Sequence, residues 1–371
     1  GYPELDAGKW VLKIEISAGS CIGMNPASGA AWVNEGSTST TIRKTRTLSA
    51  ANTSADAITI TGGVAGGQFR WIFAGLETDE NTWEDDPFQD HFKTYCEGYK
   101  VLRFLDWWEI ANNRAAHSDD LIQSGSWIWQ GIGAAWTARL SGRVTGFSHD
   151  VLAKLCADVG RLLWINIPSG IGLHITQGVA NGFYTSSANT NTEAARGLYQ
   201  AALDPLMPAI FAEALVQYRI IAGRYIQDLI DAGYPNSTYW YVEIGNENWN
   251  SGIFTQGYNL ARAVEYHLLN RATNPLLGTS GWAGIGYLAA IMGRAFQEKI
   301  DELKPGQLVK FVIGAQTGSG TSGDRRMIDA WELYQADVGA SALPTSQLAI
   351  ATTGYHSHAF KWQQSQSTGN G

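Results

Sequence analysis

The chain opens in a pattern of period two. Residues 9–17, 38–48, 57–61 and 68–74 are short runs rich in Val, Ile, Thr and Trp, separated by Gly, Asn, Ser and Ala turns. No helical spacing survives there, which predicts a small antiparallel β-unit over residues 1–75. From about residue 90 the pattern changes. Residues 100–106 read as an apolar strand, and 149–160 carry helical spacing with Val151, Leu152, Leu155 and Val159 on one face. Strands follow over 162–167, 239–244, 308–314 and 347–355. Helices are predicted over 204–232, where Ile210, Leu215, Ile221 and Ile226 recur, and over 254–270, 284–303 and 324–336. Strands alternating with helices mean βαβ units on a parallel sheet, so residues 76–371 read as an α/β region. The acidic run at 77–90 reads as a solvated loop, and 363–371 as a polar, low-complexity segment.

Polar clusters fall at the carboxyl ends of these strands, where α/β folds place their sites. The densest closes the strand 239–244, in Gly245-Asn-Glu-Asn-Trp-Asn. Glu247 stands there between the amides Asn246 and Asn248 and is followed by Trp249. A carboxyl held among aromatic and amide groups has its pKa raised by desolvation, as a general acid needs. The blander reading is a solvated Glu at a strand end. Glu243 lies four residues earlier, about 13 Å away along an extended strand at ~3.3 Å per residue. Carboxyl pairs that cleave glycosidic bonds stand about 5–5.5 Å apart in retaining enzymes and roughly 6.5–9.5 Å apart in inverting ones. Glu243 therefore sits too deep to be a partner. It reads as a buried carboxylate paired with an inward-facing Arg such as Arg103.

Composition narrows the functional classes. A net charge of −8 argues against a nucleic-acid partner, which needs a basic face. No run of 18 apolar residues is present, so no membrane span is expected. Cys21, Cys96 and Cys156 are too few and too far apart for a disulfide framework or a zinc set. His356 and His358 share one strand face, but no carboxylate or Cys cluster accompanies them. They read as sugar or carboxylate contacts, and no metal is expected. The Gly-x-Gly stretches at 131–133 and 170–172 lack the strand–helix context of a dinucleotide site, so no cofactor is expected. There are 15 Trp, whose flat faces suit the C–H side of a sugar ring.

The order of the motifs resembles that of the clan A retaining glycoside hydrolases. Val-Leu-Arg-Phe-Leu-Asp-Trp at 101–107 looks like their second barrel strand, and Trp-Ile-Asn-Ile-Pro at 164–168 like the third. Residues 241–250, containing Asn246-Glu247, look like the fourth, 309–316 like the fifth and 351–358 like the sixth. The set is most similar to a bacterial and phage-associated cellulase-like group with a β-domain inserted between barrel strands one and two. The resemblance implies a (β/α)8, TIM-barrel-like fold with strands two to six visible and an N-terminal antiparallel β-domain. Five strands do not close an eight-stranded barrel, so the chain reads as part of a longer polypeptide. The implied activity is retaining hydrolysis of O-glycosidic bonds in a polysaccharide. Glu247 would be the acid/base, Asn246 the clamp on a sugar hydroxyl and Arg103 the support of the nucleophile. Asp106, Trp107, Asn166, Trp249, Gln316, Tyr355, His356 and His358 would line the substrate. The implied partner is a polysaccharide or cell-surface glycan, with other subunits of a larger assembly possible, in an extracellular, virion or cell-surface setting. The alternative is a glycan-binding or structural module that grips without cleaving, as in a phage tail or surface protein.

Overall fold

The structure, a computed structural model, describes residues 8–16, 23–26, 33–35, 38, 41–48, 58–61, 69–81, 88, 90–104, 115–121, 148–176, 193–246, 248–250, 255–271, 281–316, 320–339 and 343–353. The chain divides into two compact units, Gly1–Gly98 and Tyr99–Gly371.

The first unit is built on β1 (Gly8–Ile16), β2 (Gly23–Pro26), β3 (Val33–Asn34), β4 (Thr41–Leu48), β5 (Ile58–Thr61) and β6 (Phe69–Leu76). One sheet has the order β3-β4-β1-β6, with every pair antiparallel, and β2 pairs with β5 separately. The period-two runs thus form the strands they predict. A register shift opposite Lys13 and Ile14 puts one extra residue on β6, a bulge that bends the sheet. The start of the acidic run is not a solvated loop. Arg43 Nη2 meets Glu80 at 2.6 Å and Glu77 at 3.0 Å, and Lys9 meets Glu77 at 2.9 Å. The hydrogen bond from Arg43 holds the Glu80 carboxyl below the usual carboxylate range. Strand charges on β1 and β4 thereby fix the segment that follows β6. A helix, α1 (Asp90–Glu97), also belongs to this unit.

The second unit is a mixed α/β layer structure. Its strands are β7 (Val101–Arg103), β8 (Leu162–Ile167), β9 (Trp240–Ile244), β10 (Val309–Gln316) and β11 (Leu348–Thr353). They lie in chain order, β7-β8-β9-β10-β11, and all four pairings are parallel. Between them run α2 (His149–Asp158), α3 (Glu193–Leu203), α4 (Met207–Asp231), α5 (Thr255–Arg271), α6 (Trp282–Leu303) and α7 (Gly320–Val338). Residues 204–206 form a separate 3-10 turn ahead of α4.

Alternation along the strands decides what each face does. Leu163, Ile165 and Ile167 of β8, Trp240, Val242 and Ile244 of β9, and Phe311 and Ile313 of β10 are buried. Trp240 packs against Phe296 of α6 and His149 of α2, so these side chains face the helical layer. Burial of each large apolar side chain contributes about 1.5–3 kcal/mol. The stretch Gly197–Asp231 is long and apolar enough by composition to cross a membrane. In the fold its Ile210, Ala214, Tyr218, Ile221, Ile226 and Leu229 are buried. The other face of the sheet carries Arg103, Trp164, Asn166, Tyr241 and Glu243, by the pairings Arg103 with Trp164, Trp164 with Tyr241 and Asn166 with Glu243. That face holds the polar chemistry.

Candidate functional site

The site is assembled from β7, β8 and β9, each of which turns a polar side chain to the same face near its carboxyl end. Glu243 is 1% exposed and lies at the centre. Its Oε2 accepts hydrogen bonds from Arg103 Nε at 3.1 Å, Arg103 Nη2 at 2.7 Å and Trp164 Nε1 at 2.8 Å. Burial pushes its carboxyl above the usual range, and the Arg103 charge pulls it part of the way back. The Arg103 guanidinium also lies against the Trp164 ring, with Cζ 4.9 Å from the centroid. The pairing of Glu243 with Arg103 expected from strand alternation is therefore present.

Beyond Ile244 the strand ends at Gly245, whose φ of +62° is a left-handed turn that a side chain would strain. Its N–H donates to Ile167 O at 2.6 Å, and its carbonyl accepts Asn166 Nδ2 at 2.6 Å, so β8 clamps the turn from both sides. Asn166 is fully buried, and its Oδ1 has no partner among the described residues. Asn246 is 4% exposed, and its Oδ1 accepts Arg103 Nη2 at 2.9 Å. Asn248 is also buried and donates from Nδ2 to Ile244 O at 3.1 Å. Its carboxamide fills the space a side chain at residue 245 or 257 would need: a β-carbon on Gly245 would lie 2.7 Å from Asn248 Cγ, and one on Gly257 3.0 Å. Both neighbours of Glu247 in the chain are thus buried and hydrogen-bonded. Trp249 follows, stacked on Trp282 at the start of α6 with centroids 6.4 Å apart and planes 23° apart.

Two loops at the same end are tied together. Gly172 N–H donates to Ala116 O at 2.8 Å, and His174 Nδ1 bonds the same carbonyl at 3.0 Å. His174 Nε2 lies 3.3 Å from Glu213, and Gln217 accepts the Ser118 N–H at 3.0 Å.

Of the residues singled out in the sequence, Arg103 and Asn246 are in direct contact, and Asn166 reaches the same turn through Gly245. Trp249 lies three residues further on. Gln316 closes β10 opposite Thr353 of β11, its side chain being outside the described residues. Glu247, Asp106, Trp107, Tyr355, His356 and His358 also lie outside them. Sequence reasoning missed Trp164 as the indole that binds Glu243, because that role depends on strand register. It also missed Trp282, which reads locally as a loop residue ahead of a helix. Comparison with protein-family models, with curated proteins and with solved structures finds no match to this chain.

Proposed function

We propose that the chain is glycoside hydrolase-like and cleaves O-glycosidic bonds of a polysaccharide with retention, using Glu247 as general acid/base. In this reading β7 to β11 are the second to sixth strands of a (β/α)8 barrel. The observation that supports it most is the Glu243–Arg103–Asn246 cluster at the carboxyl end of β9, because it holds Asn246, the residue that precedes Glu247 in the chain. A parallel sheet whose strands follow chain order without reversal is what a barrel sector requires.

The chemistry divides among named groups. Glu247 protonates the glycosidic oxygen while a second carboxylate attacks the anomeric carbon. Glu247 then takes the proton of the water that releases the sugar. Glu243 is not that second carboxylate, since its Oε2 is held by Arg103 and Trp164 and it is buried. The nucleophile in this reading comes from another strand. Asn246 offers its amide to a sugar hydroxyl. Trp249 and Trp282 offer an aromatic surface, which also supports the second reading, a module that binds glycan without cutting it.

Glu247→Gln keeps shape and removes the transferable proton. Hydrolysis of a natural polysaccharide should fall about 10²–10⁴-fold, the usual worth of general acid catalysis. An aryl glycoside, whose leaving group needs less protonation, should lose less. Unchanged turnover of the polysaccharide removes Glu247 from the mechanism. Binding without any turnover by the wild type establishes the second reading.

A further inference from the structure

We infer that Glu243 is a positioning residue that acts through Arg103 to set the amide of Asn246, so that the site presents an N–H donor to its ligand. The inference rests on the glycan reading for the identity of the ligand, and on side-chain chemistry for everything else.

A guanidinium carries five N–H donors and no acceptor. The Asn246 atom 2.9 Å from Arg103 Nη2 is therefore the oxygen, and Nδ2 lies on the opposite side of the amide. Arg103 does this reliably because it is held in one plane. Glu243 takes both Nε and Nη2, and the Trp164 ring lies against the guanidinium. Trp164 Nε1 in turn binds the same Glu243 oxygen. A long Arg side chain free of these contacts would carry substantial rotamer freedom, and the Asn246 amide would have no reason to choose one orientation. The pairing also cancels charge. Arg103 and Glu243 together leave a neutral donor, which suits a hydroxyl oxygen better than an anion. Arg103 is thereby engaged on its Nε and Nη2 by β9 itself, so its part at the site is to orient Asn246.

Two double-mutant cycles test this, one without ligand and one with it. In Asn246→Asp the new carboxylate can accept the Arg103 bond but offers no donor. Thermal unfolding should show Asn246→Asp destabilising beside Arg103, because Glu243 already neutralises the guanidinium. In an Arg103→Met background it should be more destabilising still, because both buried carboxylates have then lost their shared cation. The same effect in both backgrounds overturns the claim that Arg103 sets Asn246. In the second cycle the probes are a panel of soluble oligosaccharides, cellohexaose among them, measured by calorimetry. Asn246→Asp should weaken binding about tenfold, the worth of one neutral hydrogen bond. Arg103→Met should weaken it similarly in the wild type, and no further once the donor is gone. An equal further loss overturns the inference. Glu243→Leu should behave like Arg103→Met, and Glu243→Gln, which keeps an oxygen for Arg103, should recover most of that loss. If Glu243→Leu fails to fold, Arg103→Met/Glu243→Leu, which removes both charges, takes its place. If the wild type binds no member of the panel, the glycan reading and the hydroxyl contact fall together, while the unfolding cycle still decides the orientation.

Discussion

Gly284→Ala should destabilise the second unit, although alanine is the better helix former. Helix α6 packs against both α5 and α7. A β-carbon on Gly284 would lie 2.6 Å from the carbonyl carbon of Ala261 and 2.9 Å from its Cα. The obstacle is the backbone of α5, so no side-chain rotation relieves it and the two helices must part. Overpacking of this kind costs about 1–3 kcal/mol, and a backbone obstacle belongs at the upper end. Replacing a helical glycine by alanine returns about 1 kcal/mol. The net loss is therefore about 2 kcal/mol, or roughly 5 °C in Tm for a region of this size. Gly223→Ala is the control. It lies in α4 with nothing within 4 Å of an added β-carbon. It should gain about 0.5–1 kcal/mol from propensity alone. Urea unfolding followed by circular dichroism measures both. The difference between the variants, about 3 kcal/mol, isolates the close approach. Equal stabilities for the two variants would refute the argument.

The remaining predictions concern buried polar groups. Glu265 accepts backbone N–H groups from Gly281 and from Ala283, the latter at 3.3 Å, and burial pushes its carboxyl above the ordinary 4.5. The folded state then keeps the proton to higher pH than the unfolded chain. The contribution is full below about pH 4.5 and is lost as pH rises through the raised folded value. Relative to Glu265→Gln, the wild type should lose unfolding free energy over that rise, and parallel pH profiles would contradict this. Tyr234 accepts the Leu163 N–H at 3.0 Å and donates to Tyr239 O at 2.9 Å, joining the start of β8 to the residue before β9. Tyr234→Phe should cost about 1–3 kcal/mol and speed amide exchange at Leu163. A change of a few tenths of a kcal/mol in urea unfolding would show that the bridge contributes little.

The strands were legible where a short apolar run was uninterrupted, and the helices where the apolar spacing was regular. The run 239–244 differs from β9 by one residue, and 162–167 coincides with β8. Helix α3 escaped because its apolar stripe is thin: Tyr199 and Leu203 are buried, Leu198 is exposed, and Gly197 interrupts the run. Helix α7 begins in Gly-Thr-Ser-Gly, four residues that read as a turn from sequence. The Glu243–Arg103 pair could be anticipated because both stand on strand faces that alternation assigns. Its indole partner could not, since Trp164 reaches Glu243 only through the register of β8 on β9. Likewise Asn246 was visible as a strand-end amide, whereas the direction of that amide depends on a guanidinium 143 residues earlier.

The chain-order sheet has a consequence for synthesis. Each strand of β8 to β11 pairs with the strand made just before it, so the sheet can extend outward along one direction as the polypeptide leaves the ribosome. Among the described residues no later strand has to insert between two earlier ones. Arg103, Trp164 and Glu243 are all present once β9 has emerged, with β10 and β11 still to come. The roughly 110 residues between the ends of β9 and β11 take on the order of ten seconds to translate. The ion pair at the heart of the site can therefore mature on a three-strand nascent sheet and serve as the template on which the later strands dock.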